Sequence, residues 1–209
     1  MSRNTNTIFT IGHSNQTMDD FVGLLFQHNL TALADVRSNP YSRFNPHYDR
    51  EELADSLKAS GIKYVYFGRE LGGRSNNQSC YDDGRIRYDR LARMPQFLDG
   101  LKRLIRGAST YRVAMMCAEK EPLHCHRTLL VGNELDERGF TVVHILLDGC
   151  LESHADAMTR LLQKFDLEND LFHRDLSRRE LIAKAIARQA RRVGHTMDQV
   201  SDETKWNDR

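Results

Sequence analysis

No apolar run in the chain approaches the ~20 residues of a membrane span, which excludes a protein crossing the bilayer as a helix. The opening MSRNTNTIFTIGHS lacks the continuous apolar stretch of an export signal, so the expected location is the cytoplasm, with no membrane partner. Cysteine is sparse. Cys80, Cys117, Cys125 and Cys150 do not make a disulfide framework and read as reduced thiols. Only 4 prolines occur, which excludes a Pro-rich extended linker, and no internal repeat or low-complexity tract suggests a solenoid or a disordered arm. Neither sign of charge dominates: 30 basic residues face 29 acidic ones, for a net charge of +1. That balance argues against a surface coated in positive charge for non-specific nucleic-acid binding and leaves only a local basic patch open.

The 209 residues present an alternation of strand and helix signals. TIFTIGHS reads as a strand closing in a turn. Thr17 then opens a helix whose apolar stripe is Met18, Phe21, Val22 and Leu25. LTALADVRS is a second strand, broken by SNPYSRFNP; Asp49 starts a helix that Gly61 stops; IKYVYFG is a third strand. From Gly72 to about Met94 the chain is polar and without apolar period, longer than the ~12–15 residues beyond which a loop is usually functional or disordered. A helix resumes at Pro95, YRVAMMCA is a fourth strand, a helix spans about 126–138, and FTVVHILL is a fifth strand. The predicted fold is α/β: about five mostly parallel strands alternating with helices in three layers. Residues 1–150 form this domain, 151–200 a helical extension packed on it, and 201–209 a tail. In the extension, Ser177 caps a helix with Ile182, Ile186, Ala190 and Val193 on one face and a solvated basic face elsewhere.

In an open parallel sheet, ligands bind beyond the carboxyl ends of the strands, and this chain places its chemistry there. His13 follows strand one; Asp35 and Arg37 close strand two, with Arg43 beyond; Arg74 follows strand three; Cys117 and Glu119 close strand four. In CAEKEPLHCHR, the free N–H groups of the following helix would face the same edge, an anion site that Arg127 could reinforce bidentately, with Cys125 and His126 at its rim. Cys117 reads either as a nucleophile or as a small buried hydrophobe, and Asp35 and Glu119 either as a proton-transfer pair or as structural partners of arginines. A metal site is not expected: the two cysteines are too far apart for a zinc knuckle, and the side chains of an adjacent His-Cys-His run diverge.

The blocks TIGHSN, LADVRSNPYSRFNP, YVYFGRELGGR and MCAEKEPLHCHR resemble the signatures of the domain of unknown function 488 family, over most of residues 7–147, and ELIAKAIARQARRVGH is similar to that family's closing helix. The resemblance implies a compact bacterial or archaeal α/β domain and supplies no reaction. The layout is also similar to rhodaneses and Cys-dependent phosphatases. The phosphatase cradle needs Arg six positions after its Cys, however, where this chain has Leu123; Arg127 comes later and Glu119 and Glu121 intervene.

The expectation is an enzyme acting on an anionic, phosphate-bearing or nucleotide-like substrate, without a cofactor. His13, Arg37, Arg43, Arg74 and Arg127 would hold the anion. Cys117 would be the nucleophile or redox thiol, Asp35 or Glu119 would move protons, and the 72–94 loop would close as a lid. The alternatives are a nucleotide- or nucleic-acid-binding module without chemistry, and a Cys/His metal-holding or redox-sensing protein.

Overall fold

A computed structural model describes residues 6–168 and 175–196; the expected tail at 201–209 lies outside them. Six strands form the main sheet: β1 (Thr7–Gly12), β2 (Ala32–Asp35), β3 (Lys63–Tyr66), β6 (Val113–Cys117), β7 (Thr141–Ile145) and β8 (Leu151–Ser153). A small antiparallel pair, β4 (Tyr81–Asp82) and β5 (Arg85–Ile86), lies between β3 and β6 in sequence. The order across the main sheet is β3-β2-β6-β1-β7-β8, parallel throughout except for the antiparallel edge strand β8. The expected parallel α/β sheet is present, with one strand more than expected. That strand, β8, falls where the helical extension was expected to begin, too short to show a period of its own.

Alternation along the strands builds two cores. Phe9, Ile11, Leu33, Ala114, Met116 and Ile145 turn to one face and bury Phe21 and Leu25 of α1 (Met18–Gln27) and Leu53 and Leu57 of α2 (Arg50–Ala59). Ile8, Ala32, Ala34, Val113, Met115 and Val142 turn to the other. There they meet Phe97, Leu101 and Leu104 of α5 (Pro95–Ala108), Leu135 of α6 (Asn133–Asp136) and Leu161 and Leu162 of α7 (His154–Lys164). Helices of the chain's first third thus cover one face and later helices the other. The connections leaving β2, β6 and β1, side by side at the centre, depart on opposite faces, which creates a crevice at their carboxyl ends.

The polar segment after β3 is not a free lid. It begins after the short helix α3 (Gly68–Leu71) and contains the short helix α4 (Tyr88–Leu91), and its Cys80, Tyr81, Ile86, Tyr88 and Leu91 are buried in the larger core. Its apolar residues are irregularly spaced because each packs from a turn, a two-residue strand or a one-turn helix, so no period betrays them. The last helix, α8 (Arg178–Val193), carries a capping box at Ser177 and Glu180 and buries Ala185, Ile186 and Ala190. Its buried Gln189 donates from Nε2 to Leu123 O at 2.7 Å, pinning the turn that leads to Cys125. No helix among the described residues is long and apolar enough to cross a membrane.

Candidate functional site

Two groups of side chains stand at the central strand ends. The first lies on the α1/α2 side. Asp35, fully buried, accepts from Arg37 N, Nε and Nη2 (Nη2–Oδ2 2.7 Å) and from the Tyr64 hydroxyl at 2.8 Å. Arg37 also donates to Tyr48 O, and its Nη1 stands 3.4 Å from His13 Nε2. Because Ser14 O can only accept, His13 Nδ1 is the protonated nitrogen of that 2.8 Å bond, which leaves Nε2 bare toward Arg37. The ring stacks on Tyr48 with centroids 4.0 Å apart. Burial first, and the Arg37 charge second, lower the His13 pKa from 6.5 to about 4. Burial pulls Arg37 down, but hydrogen bonding to Asp35 and that carboxylate's charge outweigh it and leave it above its ordinary value.

This geometry corrects two expectations. Asp35 is not a proton-transfer partner of Glu119, because both its oxygens are taken by Arg37 and Tyr64. Arg37 is not an open anion clamp either; most of its donors serve Asp35 and Tyr48.

The second group lies on the other side of the same edge. Cys117 ends β6. The chain then turns through the 3-10 turn Pro122–His124 to Cys125 and His126 and enters a π-helix at Arg127–Gly132, a form that recurs at functional sites. Cys125 is extended (φ −130, ψ 140) while His126 is already helical (φ −61, ψ −25). The change breaks the alternation of side chains and lets two successive residues face Cys117, whereas His124 is exposed. His126 Nδ1 is 3.8 Å from both Cys117 Sγ and Cys125 Sγ, and its Nε2–H donates to Val36 O at 2.9 Å. Cys125 Sγ stands 3.1 Å from Glu119 Oε2 and receives Arg127 N–H at 3.4 Å. The expected divergence of the His-Cys-His run therefore holds for His124 alone, and the expectation of no metal site loses its basis.

The electrostatics are those of a compact cluster sharing few protons. The hydrogen bond to Cys125 raises the Cys117 thiol, helped by burial and the nearby negative charge of Cys125 and Glu119. Burial pushes Cys125 up, but the Cys117 hydrogen bond and the charges of Arg127 and His126 bring it well below an ordinary thiol. Burial and the Cys125 charge raise Glu119; for His126, Cys125 and Glu119 outweigh burial and raise the imidazole.

Arg127 is the main correction. Its side chain is fully buried, and Nη1 and Nη2 donate to the carbonyls of Glu119 and Lys120. It braces the turn carrying Glu119 instead of meeting a ligand, because the π-helix directs it back under that turn. Gly12 makes room for this: a Cβ there would come within 2.0 Å of Glu119 O and 3.1 Å of Arg127 Nη1. Arg43 is exposed on the loop before α2 and does not line the cleft described next.

Beside the thiol cluster opens a cleft of about 520 Å³, lined by Ser38, Asn39, Arg69, Arg74, Asn77 and Gln96 among others. Gly73, the neighbour of Arg74 in sequence, packs on the cluster: a Cβ there would meet the His126 ring at 2.8 Å. Arg74, half-buried, sits in the cleft wall; burial lowers its pKa, against the opposing charges of Glu119, Tyr81 and Cys117. Sequence reasoning found Arg74 and missed Gly73, although the paired glycines of GRELGGR are a signal of close backbone approach. A buried Thr10–His144–His154 chain also went unread: Thr10 Oγ1 is 2.8 Å from His144 Nδ1, and His144 Nε2 is 3.2 Å from His154 Nδ1. The polar His within FTVVHILL was its one trace.

Fold and site together define a doubly wound α/β protein with a Cys/His/carboxylate cluster beside a cationic cleft at its strand ends. A family model described as Domain of unknown function DUF488 matches residues 17–133, more than half of the chain, and the chain belongs to that family. No curated protein and no solved structure matches it.

Proposed function

We propose that the protein is a cytoplasmic enzyme acting on a small anionic, phosphate-bearing substrate. The anion lies in the cleft against Arg74 and Arg69, and the reacting end of the substrate is directed at the Cys117–Cys125–His126–Glu119 cluster. The observation carrying this reading is the double membership of Arg74. It lines the cleft, and its guanidinium is within electrostatic reach of Glu119 and Cys117. A cation in that position neutralises a bound phosphate and orients it toward the cluster. Cys80, Cys117, Cys125 and Cys150 are free thiols, in keeping with a reducing compartment.

The test is calorimetric titration of the full chain with pyrophosphate and ADP at low salt. A charge-assisted hydrogen bond is worth about 1.5–3 kcal/mol, so Arg74→Ala should weaken binding by roughly tenfold or more. Arg178→Ala, on the outer surface of α8, should leave it unchanged. Absence of binding, or equal binding by the Arg74 variant, refutes the reading.

A further inference from the structure

We infer that Cys117, Cys125 and His126 form a binding site for a thiophilic divalent cation of the zinc type, with a coordination position left for a non-protein ligand. The inference deepens the proposed function, since such an ion would give the reactive end of the cleft a Lewis acid, but its geometry and its test need no substrate.

Three observations carry it. First, the two sulfurs and His126 Nδ1 all lie within 4.8 Å of one another, and each sulfur is 3.8 Å from the nitrogen. A tetrahedral zinc ion with Zn–S of about 2.3 Å and Zn–N of about 2.0–2.1 Å separates S from N by about 3.6 Å. The imidazole therefore already stands at nearly the metal-bound spacing from both sulfurs, before any ion draws them together.

Second, the tautomer is set for ligation. Val36 O accepts from His126 Nε2–H at 2.9 Å, so in the neutral ring the lone pair is on Nδ1, on the side of the sulfurs. A backbone carbonyl behind the far nitrogen is the outer partner that orients metal-binding imidazoles. Gly73 backs the same ring closely enough that a Cβ would collide with it at 2.8 Å, so the ring is held where it stands.

Third, the donor set has a chemical preference. Two sulfurs and one imidazole select zinc-like ions over magnesium or calcium, which prefer oxygen. Loading displaces protons from the cluster, and two thiolates balance the charge of the ion. Glu119, with Oε2 3.1 Å from Cys125 Sγ, is outside the trio and stands as a neighbouring carboxylate.

The experiment is titration of the reduced, chelator-treated full chain with Co(II), followed by displacement with Zn(II) in competition with a chromogenic chelator. The expected result is one equivalent of Co(II), with thiolate-to-metal charge-transfer absorption and the intense visible bands of a four-coordinate ion, displaced by one equivalent of Zn(II). Cys117→Ser and Cys125→Ser should each weaken Zn(II) binding by more than the roughly 10–100-fold that loss of an outer partner costs. Cys150→Ser, at the exposed cysteine, should change nothing. Even if a core variant fails to fold, the native chain and Cys150→Ser decide the matter. Charge-transfer absent from the native chain, or abolished by Cys150→Ser, overturns the inference, as does absorption that survives in both core variants. A chain that binds pyrophosphate but no Zn(II) sinks this inference alone; one that binds Zn(II) but no pyrophosphate sinks the proposed function alone.

Discussion

Acid should destabilise this fold through His13 in a way that a single substitution can isolate. The imidazole is buried, its Nδ1–H is spent on Ser14 O, and a second proton would have to sit on Nε2, 3.4 Å from Arg37 Nη1. In the unfolded chain the ring takes that proton at its ordinary pKa of 6.5; in the folded chain, only at about 4. Between these values the unfolded state binds more protons, so stability present above pH 6.5 is lost as pH falls, and the loss levels off below pH 4. At about 1.4 kcal/mol per pH unit, a window of about 2.5 units amounts to roughly 3 kcal/mol. That is a large part of the 5–15 kcal/mol that about spans the stability of whole proteins. The perturbation is His13→Asn, and the assay is urea unfolding by circular dichroism at half-unit steps from pH 7.5 to 4.5. The variant loses packing against Tyr48 at every pH, a constant offset. Across this pH range the wild-type advantage should shrink by about 2.5 kcal/mol. The buried His144 and His154 are also held below the ordinary imidazole pKa, by burial first, and Glu119 is raised and acts in the opposite sense. All three are present in both proteins, so they cancel in the difference. Parallel stability curves, or an advantage that grows toward low pH, refute the reasoning.

Two further outcomes are expected. Asp35→Ala leaves Arg37 buried without its carboxylate and should cost about 3–5 kcal/mol, lowering Tm by roughly 10 °C or more; a shift of only a degree or two by calorimetry would show that Arg37 finds another partner. In native alkylation read residue by residue by mass spectrometry, the exposed Cys150 should react first, with Cys80, Cys117 and Cys125 slowed by burial. Modification of Cys125 ahead of Cys150 would show that its lowered pKa outweighs burial.

The parallel sheet and its helices were legible in the chain because burial leaves a local period: two along Phe9, Ile11, Leu33, Ala114 and Met116, and nearer 3.6 along Phe97, Leu101 and Leu104. The concentration of chemistry at one edge was legible too, since His13, Asp35, Arg37, Cys117 and Glu119 each follow an apolar run and parallel strands end together. Tertiary structure alone decided what those residues face. The insertion of β6 between β2 and β1 brings Cys117 beside Val36 and His13, and no local pattern records strand order. Arg37 and Arg127 turn inward because the Asp35 carboxylate, two residues back, and the carbonyls of Glu119 and Lys120, in the turn before the π-helix, satisfy their donors. Cys125 and His126 converge because the backbone passes from extended to helical between them. A charged or ligating side chain has a residue type that the sequence shows, but its direction is fixed by the backbone path and the packing around it, and here that direction separates a brace from a binding group.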